Sequence, residues 1–173
     1  GREPFVLHDD NTNGNPANCP ALTVGEGMAR VLRRVATNVK TVLDADDTFA
    51  AAAAAVVVSA RVKEPYSLWR KILRTGASRL LDVPDALALR VVLTARREAA
   101  DEPPEVTAPR ERALCYYVQS LCSAHWEPDL NSDGEGRFKD YIDSPKPNGY
   151  QSLHYTASTW WGGQDWPLEI QVR

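Results

Sequence analysis

Cations, amide donors and a ring able to stack on a base crowd into one short stretch of this chain. Residues 137–154 read Arg-Phe-Lys-Asp-Tyr-Ile-Asp-Ser-Pro-Lys-Pro-Asn-Gly-Tyr-Gln-Ser-Leu-His. Arg137, Lys139 and Lys146 suit phosphate oxygens. Asn148-Gly149 demands a tight turn and delivers Tyr150, whose ring can stack on a base. If a helical turn follows, Tyr150 and His154 lie on one face. Together these are the groups a purine nucleotide requires. Each residue singly fits a charged turn beside a structural tyrosine; the set fits that poorly.

A second basic group lies upstream. Arg61 and Lys63 project from the same face of an expected strand, and Ser67 and Lys71 share a face of the helix that follows. A helix N-terminus adds partial positive charge, which favours phosphate. A solvated basic helix accounts for this cluster equally well. In the final strand, Leu168, Ile170 and Val172 occupy one face and Glu169, Gln171 and Arg173 the other. Taken alone, that is an amphipathic edge strand with a solvated outer face. Asp85 and Glu169 are carboxylates at separate strand ends, and if they converge they can hold Mg²⁺ between phosphates.

The elements that must position these residues follow from periodicity. Thr23 and Glu26 form a capping box ahead of a helix with the stripe Met28, Val31, Leu32, Val35, Val39, Val42 and Leu43. Asp44, Asp46 and Asp47 are expected to end it. The run Ala50–Ala55 favours helix and Val56–Val58 favours strand, with the valines taken as the first strand. Pro65 opens a helix that Gly76 ends. Leu87–Thr94 is a second strand, 96–112 a surface loop, and Glu111–Trp126 a third helix. Asn131–Gly136 reads as a turn cluster. Arg137–Ile142, Thr156–Trp161 and Leu168–Arg173 read as strands, the last two joined at Gly162-Gly163. Strands interleaved with helices and a closing hairpin predict an α+β fold, a mixed β-sheet flanked by helices.

Composition sets the outer bounds. The 173 residues carry a net charge of −3 with 25% charged and 43% hydrophobic residues, which suits one globular domain. The acidic balance argues against a protein that coats nucleic acid. No apolar run approaches the roughly 20 residues of a membrane span. Cys19, Cys115 and Cys122 lack metal-ligand spacing, and the last two read as small core residues on a helix. Residues 1–21 read as a flexible tail or linker, His8-Asp9 included, ahead of a domain over 22–173.

The stretch Arg137–His154, followed by Glu169-Ile170-Gln171-Val172-Arg173, strongly resembles the synthetase domain of the RelA/SpoT homologue family. These stringent-response enzymes make guanosine penta- and tetraphosphate. The resemblance runs from about Val56 to Arg173; the short Arg61-Val62-Lys63 and Asp85–Arg90 elements occur in the family's order. It implies a nucleotidyltransferase-like synthetase fold and a GTP pyrophosphokinase, moving pyrophosphate from ATP to the 3′-oxygen of GDP or GTP with Mg²⁺ as cofactor. Arg61, Lys63, Ser67 and Lys71 match the motif holding ATP, with Arg90 close by. Asp85 matches the Mg²⁺-binding aspartate, and Glu169 the glutamate that binds metal or activates the 3′-hydroxyl. Tyr150 matches the ring stacked on guanine; Arg137, Lys139, Lys146, Asn148, Gln151 and His154 match the acceptor-nucleotide site, with Gln171 and Arg173 on the polar side of the final strand.

Where the family usually has Gly before the Arg-x-Lys element, this chain has Ala60, the mildest replacement. The family's pattern continues with a helix past the final strand, so the chain is expected to be truncated at its C-terminus, with other domains of a longer protein as partners. The Arg-Phe-Lys-Asp form resembles members that accept GDP well. GDP should therefore be used at least comparably to GTP, and initial rates with matched acceptors check this; a strong GTP preference overturns it. The implied compartment is bacterial cytoplasm or plastid stroma. Two other functions bear weighing: a catalytically degenerate nucleotide sensor, and an RNA-binding domain using the basic clusters and Trp160-Trp161. The intact key positions weigh against the first and the acidic net charge against the second.

Overall fold

The apolar stripe from Met28 to Leu43 becomes one buried face of a long helix, and that face sets the architecture. The computed structural model describes residues 24–83, 85–128 and 138–173. In chain order the elements are α1 (Val24–Asp44), α2 (Asp47–Ala52), β1 (Ala53–Val62), α3 (Pro65–Thr75), a 3₁₀ turn (Leu80–Asp82), β2 (Leu87–Ala95), α4 (Pro104–His125), β3 (Lys139–Asp140), β4 (Leu153–Trp161) and β5 (Gln164–Val172). The strands form one five-stranded sheet in the order β1-β2-β5-β4-β3. β2 and β5 run parallel and the other pairs antiparallel, so the sheet is mixed.

One face of the sheet carries the core. Leu87, Leu89 and Val91 of β2, Leu168, Ile170 and Val172 of β5, and Leu153, Tyr155 and Ala157 of β4 are buried there. They share that core with α1 and with Leu114, Cys115, Val118 and Cys122 of α4. Because side chains alternate along a strand, the neighbouring residues all point the other way. The register then lays them in rows across the opposite face. One row runs Arg61, Ala88, Glu169, Thr156; the next runs Ser59, Arg90, Gln171, His154, Lys139.

Several boundaries differ from expectation. The aspartates after α1 also begin something: Asp46 is the N-cap of α2, its Oδ1 accepting the Phe49 N–H at 2.7 Å. The alanine run is thereby split, helical to Ala52 and extended from Ala53. The expected loop over 96–112 is helical from Pro104 onward. Pro104 sits in the first turn, where a missing N–H costs nothing, and Pro109 is carried inside the helix. Glu102 anchors this end, accepting from Thr107 Oγ1 at 2.6 Å and pairing with Arg110. Those side-chain bonds, formed across the first turns, offset the proline that reads as a breaker. β3 is only Lys139–Asp140, shorter than the alternation suggested, while β4 and β5 each begin earlier than expected. The two strands pair along their whole length, from Leu153 opposite Val172 to Trp161 opposite Gln164 at the turn of Gly162 (φ 61°) and Gly163 (φ 84°).

Other expectations hold. Gly76 closes α3 in the left-handed region at φ 69°, donating its N–H to Ile72 O. Cys115 and Cys122 are buried and free, and burial pushes their thiols up to about 11 and about 12. Thr23, Cys19, His8-Asp9, the 131–136 turn and Arg137 lie outside the described residues. Among the described residues no helix is long and apolar enough to cross a membrane.

Candidate active site

An open recess lies on the polar face of the sheet, lined by Arg61, Lys63, Asp85, Ala88, Glu169 and Gln171. β1 supplies Arg61, β2 supplies Ala88, and the parallel β5 supplies Glu169 and Gln171. The Lys63 N–H donates to Ala86 O at 3.0 Å, which carries the strand pairing one step past β1 and brings the Lys63 side chain beside Asp85. The two carboxylates, 84 positions apart in the chain (169 − 85), thus face one recess. Ala88 was not singled out by its sequence; as the small residue between Arg61 and Glu169 in their row, it leaves the space between them.

Asp85 is held by two lysines. Lys63 Nζ donates to Oδ2 at 2.8 Å, and Lys71 Nζ, from α3, donates to Oδ1 at 2.6 Å. Burial alone would raise Asp85, but these hydrogen bonds and the charges behind them outweigh it and hold its carboxyl below the usual value. Two cations that could meet phosphates are therefore parked on a carboxylate.

Glu169 is buried at 8% exposure and belongs to a chain of contacts. Gln171 Nε2 donates to its Oε1 at 2.7 Å, and His154 Nδ1 lies 3.1 Å from the same oxygen. Burial opposes its ionisation, but His154, Gln171 and the charge of Lys139 prevail and hold it below the usual carboxylate value. His154 Nε2 in turn lies 3.0 Å from the Tyr150 hydroxyl. A continuous path of polar contacts therefore joins the recess to Tyr150.

Around Tyr150 the structure assembles an aromatic group. Asn148 Oδ1 accepts the Tyr150 N–H at 3.1 Å, and Gly149 adopts φ 77°, so the expected turn forms. The helical turn after it does not: His154 lies in β4, and the Tyr150 ring meets it edge-on with centroids 5.8 Å apart. Pairing of His154 with Lys139 and Gln171 claims that backbone for the sheet. Tyr141, which the sequence reading passed over, stands edge-on to both Tyr150 (6.2 Å) and His154 (5.1 Å). The Lys146 ammonium sits 4.4 Å from the Tyr141 centroid and 5.1 Å from that of Tyr150. An aromatic residue two places from a cation in a turn-rich block was the available signal.

The remaining expected residues are distributed around these two groups. Arg90 lies centrally in its row between Ser59 and Gln171, and its Nε is buried without a hydrogen-bond partner. Ser67 is exposed in the first turn of α3 and does not line the recess. Gln151 is exposed beside Tyr150, and Arg173, also exposed, continues the strand face of Glu169 and Gln171. Arg137 lies outside the described residues. Chemically, one end of the arrangement offers cations and two ionised carboxylates, and the other offers rings and donors. Among the described residues no group of three or more His, Cys, Asp or Glu side chains is arranged to hold a metal ion. A metal here would need ligands from a bound substrate.

Residues 60–173 match the family described as a region found in RelA and SpoT proteins. A guanosine-3′,5′-bis(diphosphate) 3′-pyrophosphohydrolase of Aquifex aeolicus is 38% identical over 97 residues, which is 56% of this chain and 11% of that protein. A chloroplastic GTP diphosphokinase of Oryza sativa is 32% identical over 129 residues, 74% of this chain and 20% of that protein. The chain thus spans a small part of the length of these relatives. The crystal structure of small alarmone synthetase 1 from Bacillus subtilis bound to its product pppGpp shares the fold, with TM-score 0.58 and 18% identity over 84% of this chain and 68% of that one.

Proposed function

The chain belongs to the family of RelA and SpoT proteins, and from that premise we propose that it transfers pyrophosphate from ATP to the 3′-oxygen of GDP or GTP. The observation that carries this reading is the continuous contact path Glu169–His154–Tyr150, which links a recess of cations and carboxylates to an aromatic group. ATP takes the recess, with Arg61, Lys63, Lys71 and Arg90 on its phosphates and base and Ser67 at its rim. The guanine nucleotide takes the Tyr150 side, with Lys139, Lys146, Asn148, Gln151, His154, Gln171 and Arg173 around it, and Arg137 as a further cation.

The step balances without a further reactant. The acceptor's 3′-oxygen attacks the β-phosphorus of ATP, the bond from that phosphorus to the α-phosphate oxygen breaks, and AMP leaves. The 3′-hydroxyl proton passes to Glu169, ionised and held by His154 and Gln171. Such transfers depend on positioning and charge neutralisation more than on covalent chemistry by the protein. Arg90, with a buried Nε lacking a partner, has a donor to offer an incoming anion.

Mg²⁺ fits the donor set. Two carboxylates facing one recess, completed by substrate phosphates, match the few protein oxygens this ion usually takes, once Lys63 and Lys71 leave the Asp85 oxygens for those phosphates. Asp85 and Glu169 would hold it, and when bound it neutralises charge on the triphosphate. The relatives' greater length supports further domains as partners in a longer protein, with residues 22–173 as the synthetase domain. Related proteins of both bacteria and chloroplasts support bacterial cytoplasm or plastid stroma as the compartment.

The test is Mg²⁺-dependent release of AMP from ATP plus GDP, with the 3′-pyrophosphorylated guanosine nucleotide as co-product. Absence of both products, with nucleotide binding retained, would overturn the transfer reading in favour of a sensor. By calorimetry, Tyr150→Ala should raise the Kd for GDP about 5- to 150-fold, the equivalent of roughly 1–3 kcal/mol of lost stacking, and leave that for ATP unchanged. Equal weakening of both nucleotides by calorimetry would remove Tyr150 from the acceptor side.

A further inference from the structure

Tyr141, the ring that meets both Tyr150 and His154, is carried by a segment that the sheet holds through only two residue pairs. Lys139 pairs with His154 and Asp140 with Leu153, and β3 extends no further. Past those pairs one residue, Asp140, gathers most of the bonds of the turn. Asp140 Oδ1 accepts the N–H of Ile142 at 2.9 Å and of Asp143 at 2.8 Å, and the Asp140 carbonyl accepts that of Ser144 at 3.3 Å. The other carboxylate oxygen, Oδ2, accepts the hydroxyl of Tyr116 at 2.8 Å. Tyr116 stands on α4 next to Cys115 and two residues from Val118, both locked in the core. Tyr116 itself is exposed, but its backbone belongs to a packed helix, so its hydroxyl joins that helix to Asp140 and through it to the turn.

We propose that Tyr116 is a positioning residue for the guanine-nucleotide side of the site, acting through Asp140. By orienting the carboxylate it fixes the turn 140–144, and with it Tyr141, whose ring abuts both Tyr150 and His154. The Tyr141 N–H, bonded to Ser152 O at 3.0 Å, ties the same turn to the start of β4. Backbone bonds tie this segment only to itself and to the strand beside it, the Lys146 N–H to Tyr150 O at 3.1 Å among them; the Tyr116 hydroxyl adds a lateral bond to a separate element. The proposal rests on the assignment of 138–154 to the acceptor and deepens it.

The neighbouring residue provides a matched control. The Tyr117 hydroxyl also donates to an aspartate, Asp46, at 3.1 and 3.0 Å, but Asp46 caps α2 and lies outside the acceptor segment. Tyr116→Phe and Tyr117→Phe each delete one phenol–carboxylate hydrogen bond from the same helix, with little change of volume. Amide hydrogen exchange by NMR on the full chain, together with calorimetric titration of GDP and of ATP, separates their effects. In Tyr116→Phe the amides of Ile142 and Asp143 should exchange faster, and the Kd for GDP should rise about three- to tenfold, the equivalent of one hydrogen bond. The Kd for ATP and the melting temperature should stay put. Tyr117→Phe should leave those two amides and the GDP affinity unchanged.

Unaltered exchange at Ile142 and Asp143 in Tyr116→Phe overturns the tether. Faster exchange with unaltered GDP affinity, or an equal loss for ATP, overturns the positioning role, as does the same GDP loss in Tyr117→Phe. If the unmodified chain binds no guanine nucleotide, the assignment of the acceptor site fails and the positioning role falls with it. The exchange comparison then reports separately on whether Tyr116 fixes the turn.

Discussion

Glu169→Gln should lower turnover by about 10²–10⁴-fold, the usual worth of a general base, while both nucleotides bind within about threefold of their normal affinity. The substitution is clean because of where the hydrogen bonds fall. Gln171 and His154 both contact Oε1. A glutamine carbonyl oxygen at the same place can accept the same two contacts, so the path to Tyr150 and the local packing survive. What is lost is the charge and the capacity to take a proton. A drop in kcat with unchanged affinities, measured by AMP release and by calorimetry, matches an interaction made only as the reaction proceeds. Activity retained near the normal level would remove Glu169 from the mechanism, and loss of binding would make it a structural residue instead.

Asp85→Asn is expected to act in opposite directions on binding and turnover. The carboxylate now neutralises Lys63 and Lys71, partly buried side chains whose ammonium groups are both within 2.8 Å of it. An amide cannot do so, and two unpaired cations at a recess would attract the phosphates of ATP more strongly. In the absence of Mg²⁺ the Kd for ATP should fall about tenfold, roughly the worth of one charge-assisted hydrogen bond. With Mg²⁺ present, turnover should drop by about 10²–10³-fold, since an electrostatic contributor to phosphoryl-type transfer is gone. Metal-free ATP affinity that is unchanged or weaker, or turnover within threefold of normal, would show that Asp85 neither restrains the lysines nor serves the reaction. The arrangement also makes physical sense of an otherwise costly cluster. Two unpaired lysines in a recess would repel one another, and a carboxylate between them holds the site together until anionic substrate arrives.

Much of this was legible in the chain before it was folded. The α1 stripe, the helix between Pro65 and Gly76, and the closing hairpin rest on periodicity and turn residues, which are local properties. So was the placement of lysines: Lys63, Lys71, Lys139 and Lys146, out of five in all, fall at the two groups described here. The elements misjudged were those where a local signal was overridden. Pro109 reads as a breaker, yet Glu102 with Thr107 and Arg110 holds the first turns of α4 around it. Asp46 reads as a terminator, yet it caps the next helix and also takes the Tyr117 hydroxyl from 71 residues away.

By itself, then, the sequence settled the element types, the kinds of chemistry available and the family resemblance, because each depends on residues near one another in the chain. Convergence was another matter. That Asp85 and Glu169 face one recess follows from β2 lying parallel beside β5, with Ala88 opposite Glu169, and no local pattern specifies that pairing. The same holds for Lys71 reaching Asp85 from α3, and for Tyr116 holding Asp140 across 24 positions. Strand register and helix docking are set by the burial of the whole apolar face at once. The polar face, with its two carboxylates and its ring of aromatics, takes its geometry from that packing.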